Sequence, residues 1–149
     1  MFIREIVPRW LIAAVARTCY HERYVALPMS HQIERDASGL AVEYGWKFGA
    51  LRNRIKVRVE GNPVLPENGS EEQFITEHYW GYAARRDGGC KEYQVEHPPW
   101  RVWNATEAVF EGDMEELYGK ELNAVLQRPS TSALLADGSA ISVHRGRRL

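Results

Sequence analysis

The residues best suited to chemistry are histidines, and two of them stand in patterned surroundings. Over 92–97 the chain reads Glu-Tyr-Gln-Val-Glu-His, followed by Pro98, Pro99 and Trp100. Tyr93, Val95 and His97 fall on one face of a strand, and Glu92, Gln94 and Glu96 on the other. His97 is therefore in register with an apolar side, just before a rigid proline corner. An imidazole there can move a proton near neutral pH or orient a polar ligand. The same placement equally suits a core histidine bonded to a backbone carbonyl at the corner. The second group is Glu77-His78-Tyr79. His78 shares its parity with Trp80 and Tyr82, which points it inward with them. Register argues the other way. With a turn centred on Gly88, Tyr79 lies across from His97 and shares its face, and a one-residue bulge would exchange the two. Both assignments stay open at this level.

Other chemistries have less to work with. His78, His97 and Glu77 or Glu96 follow no metal-ligand spacing, so neither a metal nor another cofactor is expected. No Gly-x-Ser-x-Gly supports a serine nucleophile. Arg52, Arg54, Lys56 and Arg58 alternate along a strand without interleaved stacking aromatics, which describes a solvated face rather than an RNA grip. Nineteen basic and 20 acidic residues leave a net charge of −1, with no general drive toward nucleic acid or membranes. No apolar run approaches the ~20 residues of a membrane span. The apolar run at 11–16 is closed by Arg9 and Arg17 and lacks the leader and cleavage site of a signal peptide. Cys19 and Cys90 form no Cys-x-x-Cys pair and read as reduced thiols of a cytoplasmic protein.

The elements that must position these residues are mostly strands. A helix is expected over 8–19, with Pro8 at its first position and Val7, Leu11, Ala14, Val15, Thr18 and Cys19 along one stripe. Phe2 to Ile6 leans to β. A strand over 24–34 is interrupted at Pro28, which suggests an edge or a bulge. Leu40, Val42, Tyr44, Trp46 and Phe48 alternate with polar or small residues. Beyond Gly49 the basic stripe alternates with Asn53, Ile55, Val57 and Val59, so 40–59 predicts an antiparallel hairpin. Ser70 and Gln73 have capping-box spacing ahead of a short helix over 71–76. Asp87-Gly88-Gly89 turns one strand into that of His97. Short helices follow at 114–118 and 122–126. Asp137-Gly138 predicts a last hairpin between 132–136 and 139–145. In 149 residues, 44% hydrophobic and 26% charged, this makes one α+β domain, mostly antiparallel β, with two or three short helices. Five Trp and seven Tyr favour a β-rich core or an aromatic-lined cavity.

Several of these residues also carry a resemblance. Phe74-Ile75-Thr76-Glu77-His78-Tyr79, Tyr82, the glycine turn, Tyr93 and His97-Pro98-Pro99-Trp100 resemble the YqjF-like family of uncharacterised proteins, domain of unknown function 2071. The segment from Arg4 to Arg9, 13–17, 24–29 and the closing strands of 132–143 fit it as well, so the resemblance spans nearly the whole chain. It implies a β-barrel similar to that of acetoacetate decarboxylase, enclosing a ligand cavity. It also implies that this chain is the C-terminal part of the barrel, leaving the barrel incomplete and a sheet edge open to pairing. Acetoacetate decarboxylase forms an imine through a lysine after a Tyr-Pro pair. The nearest counterpart here is Leu27-Pro28-Met29, and a thioether cannot form an imine. Lys47, Lys56, Lys91 and Lys120 are no convincing replacements.

With the resemblance, the expectation is a small-molecule-binding barrel acting on a small carbonyl or carboxylate compound. His97 would be acid, base or anchor, with Tyr79 and Glu77 as polar partners. Arg4 would clamp a carboxylate, and His78, Trp100 and Met29 would line the ligand site. The alternative is a non-catalytic module that pairs into a homo-oligomer through its open edge.

Overall fold

The computed structural model describes residues 4–85 and 87–149. Phe2 and Ile3, in the segment that leans to β, and Arg86, just before the Asp87 turn, lie outside them. The fold is α+β and mostly antiparallel β, with a curled half-barrel sheet and four short helices. Contacts divide the chain into two compact units, each assembled from segments far apart in sequence.

The first unit holds the segment ending at Ala26, together with Val64–Val102 and Ala136–Leu149. It begins with strand β1 (Glu5–Val7), helix α1 (Trp10–Val15) and a π-helical turn (Ala16–Tyr20), and then β2 (Tyr24–Ala26). β1 and β2 pair in parallel, with Glu5 opposite Tyr24. The helix starts later than Pro8 because Arg9 is still extended (φ −111°, ψ 120°). Along the expected apolar stripe, Leu11 and Val15 stay exposed, and Ala13 is the buried residue of α1. Past Val15 the helix widens, with the Thr18 hydroxyl donating back to the Ala14 carbonyl at 2.8 Å.

In the second unit, Leu27–Pro63 and Trp103–Leu135, β3 (Met29–Arg35), β4 (Gly39–Phe48) and β5 (Leu51–Glu60) form a meander. The expected break at Pro28 falls between β2 and β3, and β3 is an edge of its sheet. The β4–β5 hairpin turns at Gly49, which has φ +59°. Its apolar alternation builds the core: Leu40, Val42 and Val59 pack with Val57, Trp103, Ala105 and Leu135. Val59 is fully buried, a gain of about 1.5–3 kcal/mol.

Back in the first unit, helix α2 (Glu71–Thr76) is capped as its sequence predicts, the Gln73 amide N–H donating to Ser70 Oγ at 3.1 Å. The Gln73 side chain reaches back one residue further than in a capping box, accepting from the Gly69 N–H at 2.7 Å. The hairpin of β6 (Trp80–Ala84) and β7 (Cys90–Glu96) follows, with Gly81 opposite Tyr93. β8 (Val102–Glu111) runs along β5 in the second unit, followed there by α3 (Glu115–Tyr118) and α4 (Lys120–Leu126).

The last predicted hairpin does not form. β9 (Leu134–Ala136) adds to β8, whereas β10 (Ser142–Val143) and β11 (Arg147–Arg148) both pair with β7. Asp137 is tied to Arg101 instead of closing a two-residue turn. Its N–H donates to the Arg101 carbonyl at 3.0 Å, and its carboxylate accepts the Arg101 N–H at 3.1 Å. An isolated two-stranded ribbon is marginal, and each arm finds a longer strand to join. No helix among the described residues is long and apolar enough to cross a membrane.

Candidate functional site

The first unit contains a cavity of about 710 Å³ walled mainly by apolar and aromatic side chains. Its floor is β7. Tyr93, Val95 and His97 share one face of that strand and all line the cavity, which follows directly from their spacing of two. Leu11, Ile12 and Val15 of α1 form part of the rim. Their exposure on the helix is thus exposure to a cavity rather than a failed core stripe. Ile141 and Val143 come from the last segment, Val143 lying opposite Val95.

His97 is half-buried and held on two sides. Its ring stacks on Trp100 (centroids 4.1 Å apart, planes 20° apart) and meets Tyr79 at 5.0 Å. Its Nδ1–H donates to the Pro98 carbonyl at 2.9 Å. A carbonyl can only accept, so the neutral ring carries its lone pair on Nε2. The proline corner thus fixes both the ring's plane and its tautomer. Trp100 is anchored in turn, donating from Nε1 to Ser139 Oγ at 2.8 Å. His78 also lines the cavity, with Nδ1–H bonded to the Ile75 carbonyl at 3.1 Å and its ring edge-on to Phe74.

The open question of His78 against Tyr79 has a physical answer. The ladder pairs Trp80 with Gln94, and the Val95 N–H donates to the Tyr79 carbonyl at 2.9 Å. Tyr79 therefore stands opposite Val95, two positions from the symmetric register. A shift of two preserves parity, so Tyr79 stays on the face of His97. His78, which precedes β6 and leaves the strand alternation altogether, is among the cavity's described lining residues, whereas Tyr79 and Glu77 are not. Burial and the nearby Glu77 charge push the Tyr79 phenol upward. Glu77 itself accepts from the Gln73 side chain at 3.3 Å.

At the other end of the cavity is a group that sequence reasoning missed: Glu5, Tyr20, Glu22, Tyr24 and Tyr93. The π-helical turn ends at His21, which adopts the left-handed conformation (φ 61°) uncommon for a side-chain-bearing residue. The chain then turns so that Glu22 Oε1 accepts from the Tyr93 hydroxyl at 2.6 Å. Tyr20 meets the Tyr93 ring edge-on at 5.1 Å. Burial, and then the Glu22 carboxylate, push the Tyr93 phenol well up; burial and Glu5 do the same to Tyr24. The cross-strand pairing of Glu5 with Tyr24 accounts for that second contact. No local pattern signals these residues, because they are gathered from a crossover and a distant hairpin.

The remaining expected ligand residues lie elsewhere. Arg4 borders another open cavity of the first unit with Arg17, Arg23 and Arg85, and Arg85 is bonded to Asp87 at 2.7 Å. Met29 lines a cavity of about 540 Å³ in the second unit, beside Glu43, Lys47, Asn53 and Arg54. No lysine is among the described residues lining the His97 cavity. Cys19 and Cys90 are free thiols.

These features define a mostly antiparallel β protein with a curled half-barrel sheet and, in its first unit, an apolar cavity carrying a few fixed polar groups. The chain belongs to DUF2071, a family of uncharacterised conserved proteins, whose pattern matches residues 1–140. No curated protein and no solved structure matches the chain.

Proposed function

We propose that the chain binds a small organic molecule in the His97 cavity. One observation carries this reading: about 710 Å³ of space, mostly apolar in lining, into which a few oriented polar side chains converge. That is the size and composition of small-molecule sites generally. His97 serves as the orienting group, with Trp100 and Val95 as wall and Tyr79 holding the ring from behind. Membership of an uncharacterised family supplies no ligand.

The test is ligand-detected NMR with a library of small aromatic and aliphatic fragments, followed by amide shift mapping. Binders should shift Tyr93, Val95 and His97, and His97→Ala should weaken them while the fold is kept. Fragments that bind only elsewhere, or no binders at all, would overturn the reading. Association through the β3 edge has less behind it, since Gln32, Glu34 and Arg35 line that edge with exposed polar groups.

A further inference from the structure

The chemical class of the ligand can be argued from what the cavity wall leaves unsatisfied, an argument that rests on the binding reading above. Its side-chain hydroxyl and indole donors are already engaged. The Tyr93 hydroxyl donates to Glu22, the Tyr20 hydroxyl to the Val143 carbonyl at 3.5 Å, Trp100 Nε1 to Ser139 and Thr76 Oγ1 to the Glu72 carbonyl, and the Tyr24 hydroxyl is hydrogen-bonded to Glu5. Both lining histidines donate from Nδ1 to backbone carbonyls, which leaves acceptors at Nε2 in the neutral rings. The fixed charges on this wall are the carboxylates of Glu5 and Glu22, and neither Lys nor Arg is among its described lining residues. Tyr93 and Tyr24 are paired with those carboxylates, Tyr93 with Glu22 and Tyr24 with Glu5, and Tyr20 packs edge-on against Tyr93.

We infer that this cavity takes a small organic cation, a protonated amine on a compact apolar body. The amine would sit at the Glu5–Glu22 end, where it supplies the donors the wall lacks and faces the electron-rich rings of the tyrosines. The apolar body would lie along Val95, Ile12 and Trp100. A carboxylate ligand is the wrong sign here, because it would meet two like charges with neither lysine nor arginine among the described lining residues to offset them. The upward displacement of the Tyr24 and Tyr93 phenols agrees with this, since it keeps both neutral beside the carboxylates. Glu22 and Tyr24 also border the arginine-lined cavity, and an anion would be drawn to that side instead.

The experiment uses three probes with one ring: benzylamine, benzyl alcohol and benzoate. Binding is followed by amide shifts of Val95 and His97 for the cavity and of Val25 and Ala84 for the arginine side. Benzylamine should bind at least about tenfold more tightly than benzyl alcohol, and benzoate should not shift Val95. Glu22→Gln, which keeps an acceptor for Tyr93, should cut the amine's advantage about threefold or more and leave benzyl alcohol unaffected. Equal or tighter binding of benzyl alcohol or benzoate at Val95 overturns the cation assignment while the binding reading stands. An amine preference untouched by Glu22→Gln likewise overturns it. Silence of Val95 and His97 to all three probes overturns both.

Discussion

Gly81→Ala should destabilise the protein far more than a solvent-edge substitution, and the reason is one ring. Gly81 pairs directly with Tyr93 across the β6–β7 ladder. A Cβ added there would stand 2.1 Å from Tyr93 Cζ and 2.5 Å from the phenolic oxygen. Ordinary carbon contact needs about 3.6 Å, so the ring must retreat by about 1.5 Å. The Tyr93 hydroxyl donates to Glu22 at 2.6 Å, and such a movement breaks that bond. A hydrogen bond to a charged group contributes about 1.5–3 kcal/mol, and overpacking costs about 1–3 kcal/mol where the ring cannot move. The two routes are partly alternatives, which places the loss at about 2–4 kcal/mol. Urea denaturation of the wild type, Gly81→Ala, Tyr93→Ala and the double variant gives the coupling directly. With Tyr93 truncated the added methyl meets no ring, so the double variant should be less destabilised than the sum of the singles by 1 kcal/mol or more. Additive effects, or a Gly81→Ala loss below about 0.5 kcal/mol, would refute the reasoning. The same variant should also lose ligand binding, because Tyr93 lines the cavity.

Two further outcomes follow from the charges. Arg147 Nε donates to Glu92 at 2.6 Å, and Glu92 is only 8% exposed, so Arg147→Ala leaves a buried carboxylate short of a donor and should cost about 1–3 kcal/mol. Arg148, exposed and 3.4 Å from Asp87, should contribute no more than about 1 kcal/mol; equal losses in a urea titration would contradict this distinction. Asp36 is held below the usual carboxylate range by the Ser38 hydroxyl and N–H and then by Arg58. A depressed folded pKa contributes stability above the unfolded value, near 4, that is lost as pH falls through the folded one. Wild type should therefore lose more stability than Asp36→Asn between about pH 4 and 2, and parallel curves would refute the assignment.

Much of the site was legible because it lies on one strand. Alternation placed Tyr93, Val95 and His97 on a common face, and that face lines the cavity. The His-Pro-Pro-Trp corner was legible for the same reason: a proline pair dictates local backbone, and the ring stack of His97 on Trp100 is local to it. The Ser70 cap and the hairpin at Gly49 follow from neighbours a few residues apart. The carboxylate–tyrosine end was not legible. Glu5, Glu22 and Tyr93 come from a parallel strand pair, the end of a π-helical turn and a hairpin more than 60 residues later, and no spacing rule connects them. The misread hairpin at Asp137-Gly138 has the same origin. The dipeptide permits a tight turn, but competition with the established strands β7 and β8 decides which ladder each arm joins.

By itself, then, the sequence determined the local conformations, the two-residue periods and the faces they create, because these depend on backbone sterics and neighbouring side chains. Only the tertiary structure decided the register of β6 on β7, the partners of the last strands, and the meeting of Glu22 with Tyr93. Those outcomes depend on free-energy differences between pairings that are alike in local chemistry, and only contacts between distant segments separate them.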